Sequence, residues 1–266
     1  MVSRELMLWF MLVREEIFNK QGKGEEMVYT ERFKTGLKDL GKDNRIKNRA
    51  ILEILENVAS YHSDQVGYGA NDIEKTKLSW ILLDWKLEVI KRPKYGQVLK
   101  VNTWGKGMKK FFTYRDYEVL DEDNNICAIA TSKWALIDIE KGKMSRITEE
   151  IIDRYHPEEK SVFSEENLDK IEIPTQFTSS IKYKVIRKDI DLNQHMHNLY
   201  YLDLAYEALP EEVYETRPFD HVRITYKKEI KLGDEILCKY ANENQKHIIV
   251  IESEDGKTIH AVIELL

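Results

Sequence analysis

The chain repeats itself. Lys47 to Glu56, Lys-Asn-Arg-Ala-Ile-Leu-Glu-Ile-Leu-Glu, aligns with His197 to Tyr206, His-Asn-Leu-Tyr-Tyr-Leu-Asp-Leu-Ala-Tyr, and Asn48 and Asn198 stand 150 positions apart. Each copy has the same neighbours. A strand precedes it (28–33 and 181–186), and helical spacing begins within it. Apolar residues recur at that spacing in Ile51, Leu52, Leu55, Val58 and Ala59, then in Leu199, Leu202, Ala205, Tyr206 and Leu209 up to Pro210. About four alternating strands follow: 81–89, 98–104, 111–120 and 126–139 in the first half, and 221–231, 235–241, 247–253 and 258–265 in the second. A sheet in this order can bury its one helix against a concave face, the hotdog arrangement. The expected class is therefore α+β, a double hotdog in which each repeat wraps an antiparallel sheet on one long helix. Residues 27–147 form the N-terminal unit and 178–266 the C-terminal unit. The acidic stretch 148–177 between them is a connector with a short helix over 149–155 that stops at Pro157.

Composition sets few further limits. A 42% hydrophobic share suits a globular core, and a net charge of −6 gives no overall basic field for nucleic acid. Two local clusters, Lys91-Arg92-Pro93-Lys94 and Lys106 to Lys110, could meet an acidic partner. Cys127 and Cys238 lie in separate strand segments without metal-type spacing, which fits a reducing cytosol rather than a disulfide framework. The apolar run Leu6 to Val13 is far short of the roughly 20 residues a membrane helix needs. Flanked by Glu5 and by Arg14-Glu15-Glu16, it also lacks the marks of a signal peptide. Residues 1–26 read as an extension outside the native protein, with translation expected to start at Met27.

Polar residues with chemistry crowd together in Arg187 to Tyr201, Arg-Lys-Asp-Ile-Asp-Leu-Asn-Gln-His-Met-His-Asn-Leu-Tyr-Tyr, just ahead of the second helix. Free N–H groups at a helix start favour developing negative charge, and Asp191, Asn193 and His195 could orient or move protons beside it. The same residues are common helix caps and turn formers, and Asp191, His195 and His197 could also be read as a partial metal site.

Arg187, the run Asp191-Leu192-Asn193-Gln194-His195, Asn198 and Tyr201 resemble the signature of the acyl-acyl carrier protein thioesterases, the enzymes that end fatty-acid elongation. Weaker flanking likenesses, in Trp80-Ile81-Leu82, Trp134 to Asp138 and Ile224 to Ile230, extend the resemblance from about residue 28 to the C-terminus. It implies hydrolysis of a fatty acyl thioester on the phosphopantetheine of acyl carrier protein, giving free fatty acid and holo carrier. It implies no metal or organic cofactor; the cysteine usage, net charge and short apolar run point to a cytoplasmic enzyme with no nucleic-acid partner and no integral membrane contact, and a homodimer is left open. The implied catalytic set is Asp191, Asn193, His195 and Glu229, with Glu229 as general base on water or as direct nucleophile. Where the plant members carry a cysteine this chain has Ile230, so a thiolate mechanism lacks its atom. The first half has Asp43-Asn44-Arg45-Ile46-Lys47 and no histidine at the matching place, so one site per chain is expected, with the N-terminal unit supplying an apolar acyl tunnel. A coenzyme A thioesterase, another acyl-thioester enzyme of this fold, or a catalytically silent acyl-binding module are the alternatives.

Overall fold

The computed structural model describes residues 28–164, 168–216 and 218–266. The expected extension over residues 1–26, with its start at Met27, lies outside them. In chain order the first unit comprises β1 (Tyr29–Lys34), α1 (Asn48–Val66), α2 (Ile73–Thr76), β2 (Leu78–Val89), β3 (Val98–Lys109), β4 (Phe112–Leu120), β5 (Ile126–Asp138) and β6 (Lys143–Met144). After α3 (Glu149–Tyr155) come β7 (Ser179–Lys184), α4 (Asn198–Glu207), α5 (Glu211–Tyr214), β8 (His221–Tyr226), β9 (Glu235–Glu243), β10 (Lys246–Ser253) and β11 (Ile259–Leu265).

The sheets of the two repeats join edge to edge. The strand order is β1-β3-β4-β5-β2-β8-β11-β10-β9-β7, with β6 beside β5. The seam is the antiparallel pair β2 and β8, in which Asp84 faces Thr225, Lys86 faces Arg223 and Glu88 faces His221. Pairing the two inner edges removes backbone donors and acceptors that would otherwise be exposed.

Both long helices sit against this sheet and share one core. Leu52, Leu55 and Val58 of α1 and Leu202 and Ala205 of α4 are fully buried in a single cluster with Trp85, Ile224 and Ile263 from strands of both units. Each buried leucine contributes about 1.5–3 kcal/mol. α1 ends at Gly67, whose φ of 84° needs a residue without a Cβ. The connector helix α3 packs Ile151 and Tyr155 on Val66, Met108 and Leu136, and so enlarges the core on the first unit's side.

Beyond the short elements α2, β6 and α5 and the shifted ends of β3 and β7, two differences from the sequence reading concern the second unit's helix and the site. α4 stops at Glu207, and Leu209 falls in the turn before Pro210. More consequentially, β8 ends at Tyr226 instead of continuing to residue 231. The N–H groups of Lys227 and Lys228 both turn to His260 O (2.8 and 3.3 Å), and Ile230 O then accepts from Met196 N at 2.8 Å. That last bond draws the chain out of the sheet toward the segment before α4. Glu229 therefore does not share a strand face with Arg223, Thr225, Lys227 and Lys231; it lies on an exposed connection.

Candidate active site

The segment before α4 is a closed turn. Ile190 and Met196 form an antiparallel bridge, Asp191 N donates to His195 O at 2.8 Å, and Gln194 N donates to Asp191 O at 3.1 Å, with Gln194 at φ 65°. The Asp191 carboxylate is spent on holding this turn: its Oδ1 accepts from Asn193 N at 2.8 Å and from His195 N at 3.3 Å. Below it, buried Asp189 accepts from Ile186 N and from the Tyr183 hydroxyl, and its carbonyl accepts from His197 N. His197 is the cap of α4, its Nδ1 accepting from Leu199 N at 3.2 Å. One of the helix-start donors anticipated from the sequence is thereby satisfied within the protein.

This turn and the connection after β8 border one cavity of about 860 Å³, to which Asp191, Asn193, His195 and Glu229 all contribute. Asp191 and His195 are half-buried, whereas Asn193 and Glu229 are exposed. Among the described residues no hydrogen bond joins the side chains of Asn193, His195 and Glu229, so each is available to water or a ligand. Three exposed lysines, Lys188, Lys227 and Lys228, stand on the same rim, and none of them is in an ion pair among the described residues. Among the described residues no three or more His, Cys, Asp or Glu side chains come together as a metal-binding group.

From the turn the cavity runs along α1 into the first unit, and its walls differ in character. Trp80, Leu82, Leu83, Trp134 and Ile137 present apolar surface from β2 and β5, as an acyl chain requires. The helix wall is polar, made by Arg49, Glu53, Glu56, Asn57, Ser60 and Ser63, so the tunnel expected to be apolar throughout is apolar on its strand side only. Arg115 also borders it. Its Nη1 is 2.9 Å from Nδ1 of buried His62, whose pKa is pushed down to about 2 by burial and by the guanidinium. Reading the helix for its apolar face alone missed these residues, although their spacing of three and four was visible in the sequence.

Neither cysteine borders the cavity. Burial raises the thiol pKa of Cys127 and pushes that of Cys238 up to about 12. Ile230 is wholly buried, so its side chain belongs to the core and not to the site.

Two antiparallel sheets joined along one seam, each backed by a central helix, define the double-hotdog class. Within it the chain belongs to the acyl-ACP thioesterase family: the profile of the family's N-terminal domain matches residues 26–155, and that of its C-terminal domain matches residues 172–264. Among its relatives, the oleoyl-acyl carrier protein thioesterase 2, chloroplastic, of Arabidopsis thaliana is 26% identical over 238 residues, 83% of this chain and 65% of that protein. The palmitoyl-acyl carrier protein thioesterase, chloroplastic, of Gossypium hirsutum is 23% identical over 215 residues, 76% of this chain and 52% of that protein. The chain thus matches between about half and two-thirds of the length of these two relatives. Among solved structures, an acyl-ACP thioesterase from Bacteroides thetaiotaomicron superposes with a TM-score of 0.81 at 21% identity, over 90% of this chain and 97% of that one. The 12:0-ACP thioesterase from Umbellularia californica gives 0.80 at 17% identity, over 91% and 97%. Both share the fold.

Proposed function

We propose that the protein hydrolyses fatty acyl thioesters carried on acyl carrier protein, releasing free fatty acid and holo carrier and so ending chain elongation. The observation that carries this reading is the cavity that Asp191, Asn193, His195 and Glu229 share. An acyl-sized space with an apolar strand wall opens at a turn bearing Asn193 and His195, with the Glu229 carboxylate on the facing connection. Glu229 takes a proton from water as the water oxygen attacks the thioester carbonyl. The side-chain amide of Asn193 steadies the resulting oxyanion, and His195 supplies the proton that leaves with sulfur when the C–S bond breaks. Asp191 holds the geometry through the two backbone donors it caps. All four of these side chains come from one chain, so this reading needs no second copy. Two free buried cysteines fit a reducing cytoplasm, and no helix among the described residues is long and apolar enough to cross a membrane.

The rim lysines Lys188, Lys227 and Lys228 offer an acidic carrier protein a complementary surface. The clusters singled out from the sequence offer less. Lys91 pairs with Asp121 at 2.8 Å, Arg92 with Asp220 at 2.8 Å and Lys106 with Asp116 at 2.9 Å. Thiol release from acyl-carrier and acyl-coenzyme A substrates across a salt series tests the reading. Raising ionic strength from about 0.01 to about 0.15 M shortens the screening length from roughly 30 to roughly 8 Å. kcat/KM on the carrier substrate should then fall severalfold more than on the coenzyme A ester. Equal salt sensitivity would remove the docking role of these lysines, and absence of thiol release from either substrate would overturn the hydrolase reading.

A further inference from the structure

Glu56 comes from α1 of the first unit, yet it meets the site built by the second. It borders the same cavity, where His197 and Asp191 of the turn act on its charge, as do Glu53 and Arg49 on its own helix. Tyr117 of β4 and Tyr226 of β8 feel that charge in turn. The residue as a whole is half-buried, but its Oε2 is sealed from solvent and has no hydrogen-bond partner. Oε1 is not among the sealed atoms and bonds to no described residue, so it is the oxygen by which Glu56 meets the cavity.

The repeat supplies a control. The counterpart of Glu56 is Tyr206, reaching from α4 toward the first unit. Its hydroxyl accepts from Nδ2 of Asn48 at 2.9 Å, and Oδ1 of Asn48 accepts from Arg92 at 2.8 Å. In the other copy Asn198 replaces Asn48, and neither its side chain nor that of Glu56 is bonded within the described residues. A neutral hydroxyl in one copy thus corresponds to a carboxyl in the other, and only the hydroxyl has found its partner.

We propose that Glu56 is a substrate-contacting residue that, as a neutral acid, donates a hydrogen bond from Oε1 to the thioester carbonyl oxygen, a role that rests on the hydrolase reading of this site. The sealed Oε2 makes the neutral form the cheaper one, since an ionised carboxylate there lacks a compensating donor. Burial is the first cause raising the Glu56 pKa; Asp191 and Glu53 add to it, while His197 and Arg49 oppose it. The proton stays on Glu56 throughout. The bond strengthens as the carbonyl oxygen gains charge, which is the condition for lowering the barrier instead of merely binding substrate. Because the neutral form is the active one, the rate falls as pH rises through the Glu56 pKa.

Three forms of the full chain test this: wild type, Glu56→Ala and Glu56→Gln. Glu56→Ala should lower kcat roughly 100-fold, the usual cost of one oxyanion donor. Glu56→Gln, which keeps a donor but cannot ionise, should recover to within about tenfold of wild type and lose the alkaline limb of the pH profile. If Glu56→Gln is as slow as Glu56→Ala, or Glu56→Ala keeps the wild-type kcat, the proposal fails. An infrared readout separates this from the activity itself. The neutral carboxyl C=O band should be present near neutral pH, disappear in Glu56→Gln, and shift when a ketone analogue of acyl-pantetheine, with CH₂ in place of sulfur, is bound. A band that shifts in a protein that hydrolyses no thioester sinks the hydrolase reading while keeping this contact. A band that is missing or unmoved sinks the contact, whatever the turnover.

Discussion

The turns before α1 and α4 share one backbone and carry opposite chemistry. Gly41 N donates to Arg45 O at 2.9 Å and Asn44 N to Gly41 O at 3.1 Å, matching the bonds of Asp191 with His195 and of Gln194 with Asp191. Asn44 and Gln194 hold φ 59° and 65°, and Leu40–Ile46 and Ile190–Met196 are equivalent bridges. Even the supporting carboxylates correspond, Asp39 capping Gly36 N as Asp189 caps Ile186 N. What differs is the residue across from each turn. Ile46 N donates to Pro93 O where Met196 N donates to Ile230 O, so Arg92 is the counterpart of Glu229. The Arg92 side chain is 6% exposed and donates hydrogen bonds to Ile46 O, Asn48 Oδ1, Phe219 O and Asp220. Glu229 is exposed and opens on the cavity. The same scaffold makes a clamp in one copy and leaves a carboxylate on the cavity wall in the other, so the side chain facing the turn decides which.

Exchanging the features that distinguish the copies should break the comparison where it is strongest. Glu229→Gln keeps size but removes the proton acceptor, and the rate should fall roughly 100- to 10,000-fold. His195→Ala should cost a similar factor, and the double variant little more, because groups acting as one unit are not additive. Near-normal turnover of Glu229→Gln in steady-state assays would refute its role as base. On the clamp side, Arg92→Ala leaves two backbone carbonyls and the Asn48 amide oxygen without their charged donor. It should destabilise the fold by about 2–3 kcal/mol in urea titrations. An unchanged midpoint would mean that this clamp is not structural. The smallest effect belongs to the silent turn: Asp43→Ala or Asn44→Ala should leave kcat within about threefold, as expected for exposed positions. A loss comparable to His195→Ala would show that both copies take part in chemistry.

The repeat, the ten longer strands and the bounds of α3 were legible in the sequence because periodicity and Pro157 report directly on local structure, whereas the two-residue β6 carries too little pattern to read. The lineage signal in Asp191 to His195 likewise pointed to the cavity these residues border. Three things were not legible. The end of β8 depends on His260 O and Met196 N, partners from distant segments, so alternation through Lys231 could not reveal it. Arg92 read as one of a surface basic cluster because nothing local announces burial against Phe219 and Asp220. Glu56 went unremarked because a helix in an antiparallel layer is read for the face it buries in the core, while its other face here lines the cavity.

The seam between β2 and β8 has a consequence for symmetry. Since Pro93 corresponds to Ile230, Glu88 corresponds to Thr225 and Asp84 to His221. The facing pairs Asp84–Thr225 and Glu88–His221 are therefore one contact seen from its two ends, and Lys86 and Arg223 meet on a pseudo-dyad. In a dimer of identical chains such an interface is isologous, and any substitution is made twice. A change that turned one Glu229 into an arginine would silence both sites at once. Covalent duplication releases the two halves from that constraint. One half could close its pocket with Arg92 and the other keep an acid, while the dyad seam still holds them together.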